Sequence, residues 1–168
     1  KCVCMMRHPA AFVASLVSLG WNPDISVIFC QDELVEEFGF EELRSMANGT
    51  TIERAACFWL MIYRALVVYV SRNDDMFFVR HEDLSVQPID QFRLLYSRLG
   101  LAWSAEIEEQ VIASTSDTSK ARHSAHDVSR DSVRNLKKWR ACLSSADLIV
   151  IRRITESVSD KFYSDDEW

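Results

Sequence analysis

The stretch from Thr50 to Ser71 constrains the fold more than any other part of the chain. Thr50 and Glu53 stand at capping-box spacing, so each side chain can satisfy a free backbone N–H of the other. The helix they start runs to about Ser71 and is apolar nearly all round, so it has to be buried. Its most apolar part, Ala55 to Val70, is interrupted by Arg64 and falls short of the roughly 20 residues that a spanning helix needs. It reads as a core helix, and no membrane span is expected. The 168 residues suit one domain or part of a larger one. Four glycines and three prolines are few against average usage of roughly 7% and 5%. That scarcity argues against an all-β sandwich and for long helices with few tight turns.

Around this helix the pattern alternates between strand and helix. Cys2-Val3-Cys4-Met5-Met6 is an apolar run of the kind buried parallel strands show, and it reads as opening mid-domain, with the strand's own beginning upstream. Pro9 and Gly20 bracket a helix in the expected order, with Phe12, Leu16 and Leu19 on one apolar stripe and Ala11, Ser15 and Ser18 on a small, partly polar one. A short helix is expected around Leu34 to Phe38, broken at Gly39. Asn73-Asp74-Asp75 is a turn, and Met76 to Val79 make a second short buried strand. Pro88 opens another helix that Gly100 closes, and Ser104 caps a further one. Two helices finish the chain, one around Leu136 and Trp139, the other from about Ser145 to Asp160. Asp165 to Trp168 are expected to fray. The result is an α/β fold, helix-rich, with a parallel sheet flanked by helices. Two strands cannot make that sheet alone, so an upstream segment or a second chain is expected to complete it.

Charge and cysteine content narrow the function. A net charge of −6 disfavours nucleic-acid binding driven by phosphate neutralisation, while leaving room for a local basic pocket for one small anion. Five cysteines, Cys2, Cys4, Cys30, Cys57 and Cys142, are odd in number, and no CxxC pair occurs among them. They read as free thiols, which leaves the compartment reducing or undetermined; a cytoplasmic location is the expectation. His123 and His126 lie three apart without a third clear ligand, so no metal is expected.

The chemistry concentrates where the first strand ends. Arg7 follows it directly, and Ser15 lies eight positions on, in the second turn of the next helix. Open parallel sheets bind ligands beyond the carboxyl ends of their strands. A guanidinium there offers forked donors that suit phosphate oxygens. Helical side chains lean toward the N-terminus, so the Ser15 hydroxyl can face the same anion. The alternative is that Arg7 caps a carbonyl and Ser15 only packs. The polar stretch from Ser116 to Asp131, about 16 residues without Gly or Pro, is longer than compact domains usually carry without a purpose. Lys120, Arg122 and Arg130 suit an anion lid there, and a solvated loop is the other reading. Glu82 and Asp83, just past the second strand, read as helix-capping and structural hydrogen-bonding groups.

Cys4-Met5-Met6-Arg7-His8-Pro9, followed by Ser15, resembles the 3'-phosphate-binding segment of sulfotransferases that use 3'-phosphoadenosine 5'-phosphosulfate (PAPS). Two further stretches resemble that family in the same order. One is Val79-Arg80-His81-Glu82-Asp83-Leu84 with Pro88 and Leu99-Gly100-Leu101. The other is Ser132-Val133 with Lys138-Trp139-Arg140 and Leu143-Ser144. The pattern spans Lys1 to about Phe162 and is most similar to the tyrosylprotein and carbohydrate branches. The resemblance implies the P-loop nucleotide-kinase-like sulfotransferase fold, with residues 1–168 as the C-terminal part of one such domain.

It also implies transfer of a sulfuryl group from PAPS to a hydroxyl of a small-molecule, carbohydrate or peptide acceptor, with release of adenosine 3',5'-bisphosphate (PAP). Arg7 and Ser15 would hold the 3'-phosphate, and Ser119, Lys120 and Arg130 would close over the nucleotide. The family's Gly- and Thr-containing loop, which grips the 5'-phosphosulfate, has no counterpart in these residues. Gly49-Thr50-Thr51 has its letters, but a capping box explains them and no buried strand precedes them. His81 stands where the family commonly has Tyr. The competing expectation is a PAP-binding or interaction module without transfer chemistry. A nucleotide kinase relative is disfavoured because no Gly-x-x-x-x-Gly-Lys-[Ser/Thr] loop is present.

Overall fold

In a computed structural model that describes residues 1–115 and 136–168, Cys2–Met6 forms β1 and Met76–Arg80 forms β2. The two pair in parallel, from Cys2 opposite Met76 to Met6 opposite Arg80. Parallel neighbours need a crossover. Here it consists of α1 (Pro9–Ser18), a 3-10 turn (Ile25–Cys30), α2 (Asp32–Phe38), a second 3-10 turn (Phe40–Asn48) and α3 (Thr51–Ser71). After β2 come α4 (His81–Val86), α5 (Pro88–Leu99) and α6 (Ala105–Thr115). Then follow α7 (Trp139–Cys142), α8 (Ser145–Ser159) and a closing 3-10 turn, Asp165–Glu167. The architecture is of the coarse α/β class, helix-rich, with a small two-stranded parallel sheet flanked by helices.

Local signals set the element ends. Thr50 and Glu53 form the capping box, with Thr50 N–H donating to Glu53 Oε2 at 2.8 Å and Glu53 N–H to Thr50 Oγ1 at 3.2 Å. Ser144 and Asp147 do the same for α8. Gly39 (φ 65°) stops α2 and Gly100 (φ 75°) stops α5, both in the left-handed region that only glycine enters without cost.

The main core lies among α1, α3 and α8, where Val13, Trp59, Leu60 and Ile151 are fully enclosed. Residues 77 and 78 of β2 point to opposite faces of the sheet. Phe78 packs on the core, its ring 4.9 Å from that of Phe162. Phe77 is buried beneath the Arg98 guanidinium of α5, 3.8 Å away.

Four features differ from the sequence reading. On α1 the small residues Ala10, Ala11 and Ala14 are buried with Val13 and Leu16, while Leu19 is 77% exposed. Helix α1 packs on α3, where Ala55 and Ala56 are also fully buried. In β1 only Cys4 and Met6 are buried and Met5 is 52% exposed, because the described helices covering its face at Phe77 leave it open at Met5.

The buried residues of α3 all lie between Ala55 and Tyr63; its second half is partly covered, and Tyr69 is exposed. Its 21 residues extend about 31 Å, against about 17 Å for a five-residue strand, so it outruns the sheet. By length and composition it could cross a membrane, with a mean hydropathy of 1.3, a test that buried core helices also pass. Finally, Asp165 to Trp168 do not fray. Glu167 pairs with Arg80, Asp165 with Arg152, and Arg140 donates to the Trp168 carbonyl at 2.8 Å.

Candidate functional site

The turn between β1 and α1 is only Arg7 and His8, and two other elements hold its backbone, one of them braced by a third. From α3, the Tyr63 hydroxyl donates to Met5 C=O at 3.1 Å and accepts from Arg7 N–H at 3.3 Å. One helical turn earlier, Trp59 Nε1 donates to Arg7 C=O at 2.8 Å. From α4, Glu82 Oε1 accepts the His8 N–H at 2.9 Å. Glu82 Oε2 accepts from the hydroxyl of Tyr163, which lies just after α8, at 3.1 Å. Burial raises the pKa of the Tyr63 and Tyr163 hydroxyls, so both stay protonated and able to donate.

His8 is the N-cap of α1. Its Nδ1 accepts the Ala10 N–H at 3.2 Å, which fixes the neutral tautomer with the proton on Nε2. The ring stacks on Trp139 at 5.2 Å and meets Tyr163 and Trp168 edge-on at 4.8 and 4.6 Å. Burial lowers its pKa to about 4, with Glu167 opposing and Arg80 and Arg140 assisting the shift.

Held by this frame, Arg7 and Ser15 come together: Arg7 Nη1 donates to Ser15 Oγ at 3.3 Å. Among the described residues Arg7 has no carboxylate partner. Arg44, Arg64, Arg72, Arg80, Arg93 and Arg152 all have one. Among the same residues Arg54, Arg98 and Arg153 lack one too; what sets Arg7 apart is its place, half-buried at the carboxyl end of β1, with guanidinium donors of the kind that suit an anion. Arg80, just before α4, by contrast pairs with Glu167, lies 3.7 Å from Asp83 and donates to Phe162 C=O, while its buried Nε has no hydrogen-bond partner. Burial lowers the pKa of the adjacent His81, and Arg7 adds to the shift.

No family model, no curated protein and no solved structure matches the chain. Ser119, Lys120 and Arg130 lie outside the described residues, as do Arg122, His123 and His126. Among the described residues no three His, Cys, Asp or Glu side chains gather as a metal group would require. The cysteines described are free; Cys4 and Cys57 are buried, and burial pushes the Cys57 thiol up to about 12.

Sequence reasoning named Arg7 and Ser15 but missed Trp59, Tyr63 and Tyr163 as their supports. A signal was present: Trp59 and Tyr63 share one face of a buried helix, and buried Trp and Tyr tips need partners. Which backbone they would meet depends on how α3 crosses the sheet, and that is a tertiary matter.

Proposed function

We propose that this chain carries the 3'-phosphate clamp of a PAPS-dependent sulfotransferase, on the sulfotransferase variant of the nucleotide-kinase fold. The observation that carries this reading is the Arg7–Ser15 pair, bonded at the carboxyl end of β1 with no carboxylate on the guanidinium. Arg7 directs forked donors at the 3'-phosphate oxygens and Ser15 adds a hydroxyl donor. Trp59 and Tyr63 fix the backbone from which Arg7 projects, so little ordering remains to be done on binding. Ser119, Lys120 and Arg130 are further proposed contacts to the nucleotide. When bound, PAPS supplies the sulfuryl group that an acceptor hydroxyl takes up by in-line attack on sulfur, releasing PAP. The acceptor is a small molecule, a carbohydrate or a peptide.

One observation favours a second reading, a PAP-binding module without transfer chemistry. Thr50, in the only stretch with the letters of the donor loop, is committed to the capping box of α3.

Calorimetry with PAP tests the clamp that both readings share. Losing a charge-assisted contact of this kind costs about 1.5–3 kcal/mol, or roughly tenfold to a hundredfold in affinity. Arg7→Ala therefore weakens PAP by that factor. Arg44→Ala, whose side chain is exposed and paired with Glu41 at 2.6 Å, leaves it unchanged. Equal affinity of the wild type and Arg7→Ala overturns the assignment.

A further inference from the structure

A guanidinium can serve an anion only if neighbouring carboxylates are kept off it. Glu82 is the carboxylate best placed to interfere. The register that sets Met6 beside Arg80 brings the residues after both strands side by side, Arg7 and His8 next to His81 and Glu82. The charges of Glu82 and Arg7 are both felt at Tyr63 and at His81, in opposite senses. Yet Glu82 makes no ion pair with Arg7. Both its oxygens are occupied, Oε1 by the His8 N–H at 2.9 Å and Oε2 by the Tyr163 hydroxyl at 3.1 Å.

Tyr163 is itself immobilised. It is 4% exposed, lies under the Arg80 guanidinium at 4.6 Å and meets the His8 ring at 4.8 Å. A hydroxyl so enclosed needs an acceptor, and Glu82 provides it.

We propose that Glu82 is the positioning residue of the Arg7 clamp, and that Tyr163 holds its carboxylate away from Arg7. The ligand in this proposal rests on the function proposed above; the positioning does not. Glu82 fixes the His8 end of the two-residue turn, as Tyr63 and Trp59 fix its Met5 and Arg7 end. Tyr163 decides where the second oxygen points, so the segment after α8 controls whether Arg7 stays free.

The experiment measures affinity for PAP and for 5'-AMP, which lacks the 3'-phosphate, in the 168-residue protein, three single variants and one double variant. Glu82→Ala loses about tenfold for PAP and little for 5'-AMP, because only the 3'-phosphate contact loosens. Glu82→Gln, which keeps an acceptor for His8 N–H, stays near wild type. Tyr163→Phe frees a charged oxygen to pair with Arg7 and weakens PAP several-fold. Adding Glu82→Gln to Tyr163→Phe restores affinity, since a neutral amide cannot form the ion pair; a purely structural role for Tyr163 predicts no such rescue. If Glu82→Ala fails to fold, Tyr163→Phe and its rescue decide.

An unchanged PAP to 5'-AMP ratio in Glu82→Ala and Tyr163→Phe overturns the proposal. A wild type with no preference for PAP sinks the proposed function instead, and amide hydrogen exchange then judges the positioning. A His8 N–H protected in wild type and Glu82→Gln but fast in Glu82→Ala supports it. Equal protection in all three overturns it.

Discussion

His8 is 3% exposed and enclosed by Trp139, Tyr163 and Trp168, so a proton on it would place a charge among aromatic rings. That burial lowers its pKa from 6.5 to about 4, and the nearby charges, Glu167 against Arg80 and Arg140, do not reverse the effect. In the unfolded chain the same residue takes its proton near the ordinary value. Between the two pKa values the unfolded state therefore binds more protons, and stability falls as pH drops from about 6.5 toward 4. Above that window His8 contributes no pH dependence. The full shift amounts to on the order of 3 kcal/mol. Asn at this position keeps an N-cap acceptor and does not titrate. His8→Asn should be less stable at neutral pH, having lost the stacked ring, but its urea midpoint should fall less than that of the wild type between pH 6.5 and 4. Parallel curves for the two proteins across that window would remove His8 as the source.

At the scale of elements, the segment after α8 is a strap in which Phe162, Tyr163, Asp165, Glu167 and Trp168 meet partners from elsewhere in the chain. Glu167 holds Arg80 beside the sheet, Asp165 holds Arg152 on α8, and the Trp168 ring covers His8 beneath Arg152 at 5.5 Å. Trp168→Ala should cost about 1–3 kcal/mol in denaturant unfolding. It should also raise the His8 pKa toward 6.5, read from the imidazole resonances, because water then reaches the ring. An unmoved pKa would mean that Trp139 and Tyr163 bury His8 without the strap.

The cap of α3 offers a simpler measurement. Thr50→Ala should cost about 1 kcal/mol. These two elements differ in how far the sequence exposed them. The α3 cap is written in two residues three apart, and the Gly39 and Gly100 stops are equally local. The strap reads as a short acidic tail, because its partners Arg80, Arg140 and Arg152 are spread over elements that meet only in the fold. On α1 the apolar stripe was legible at Phe12 and Leu16, which pack on the core, but not at Leu19, which is exposed. Hydrophobic periodicity passes over Ala10, Ala11 and Ala14, which are buried beside Val13 and Leu16.

At the scale of the whole molecule, the parts divide into a frame and one contact. Three aromatic side chains and one carboxylate hold the turn after β1, and a guanidinium and a hydroxyl project from it. The contact was legible in the sequence because its two residues lie eight apart in a strand–helix unit. The frame was not, because it gathers α3, α4 and the end of α8 from positions 59 to 163.

This division bears on what the 168 residues can do. Binding through Arg7 and Ser15 would secure the nucleotide equally before and during transfer, so it lowers the dissociation constant without accelerating chemistry. Acceleration needs donors aimed at the charge that develops on the transferring group and a base for the acceptor hydroxyl. Arg80 is committed to Glu167 and Asp83, Glu82 to His8 and Tyr163, and Thr50 to the α3 cap. Residues 1–168 should therefore bind PAP and yet transfer no sulfate above background. A radiolabelled PAPS assay with phenol, sugar and peptide acceptors checks this against the calorimetric affinity. Turnover from this chain would show that groups assigned here to the frame are released during the reaction.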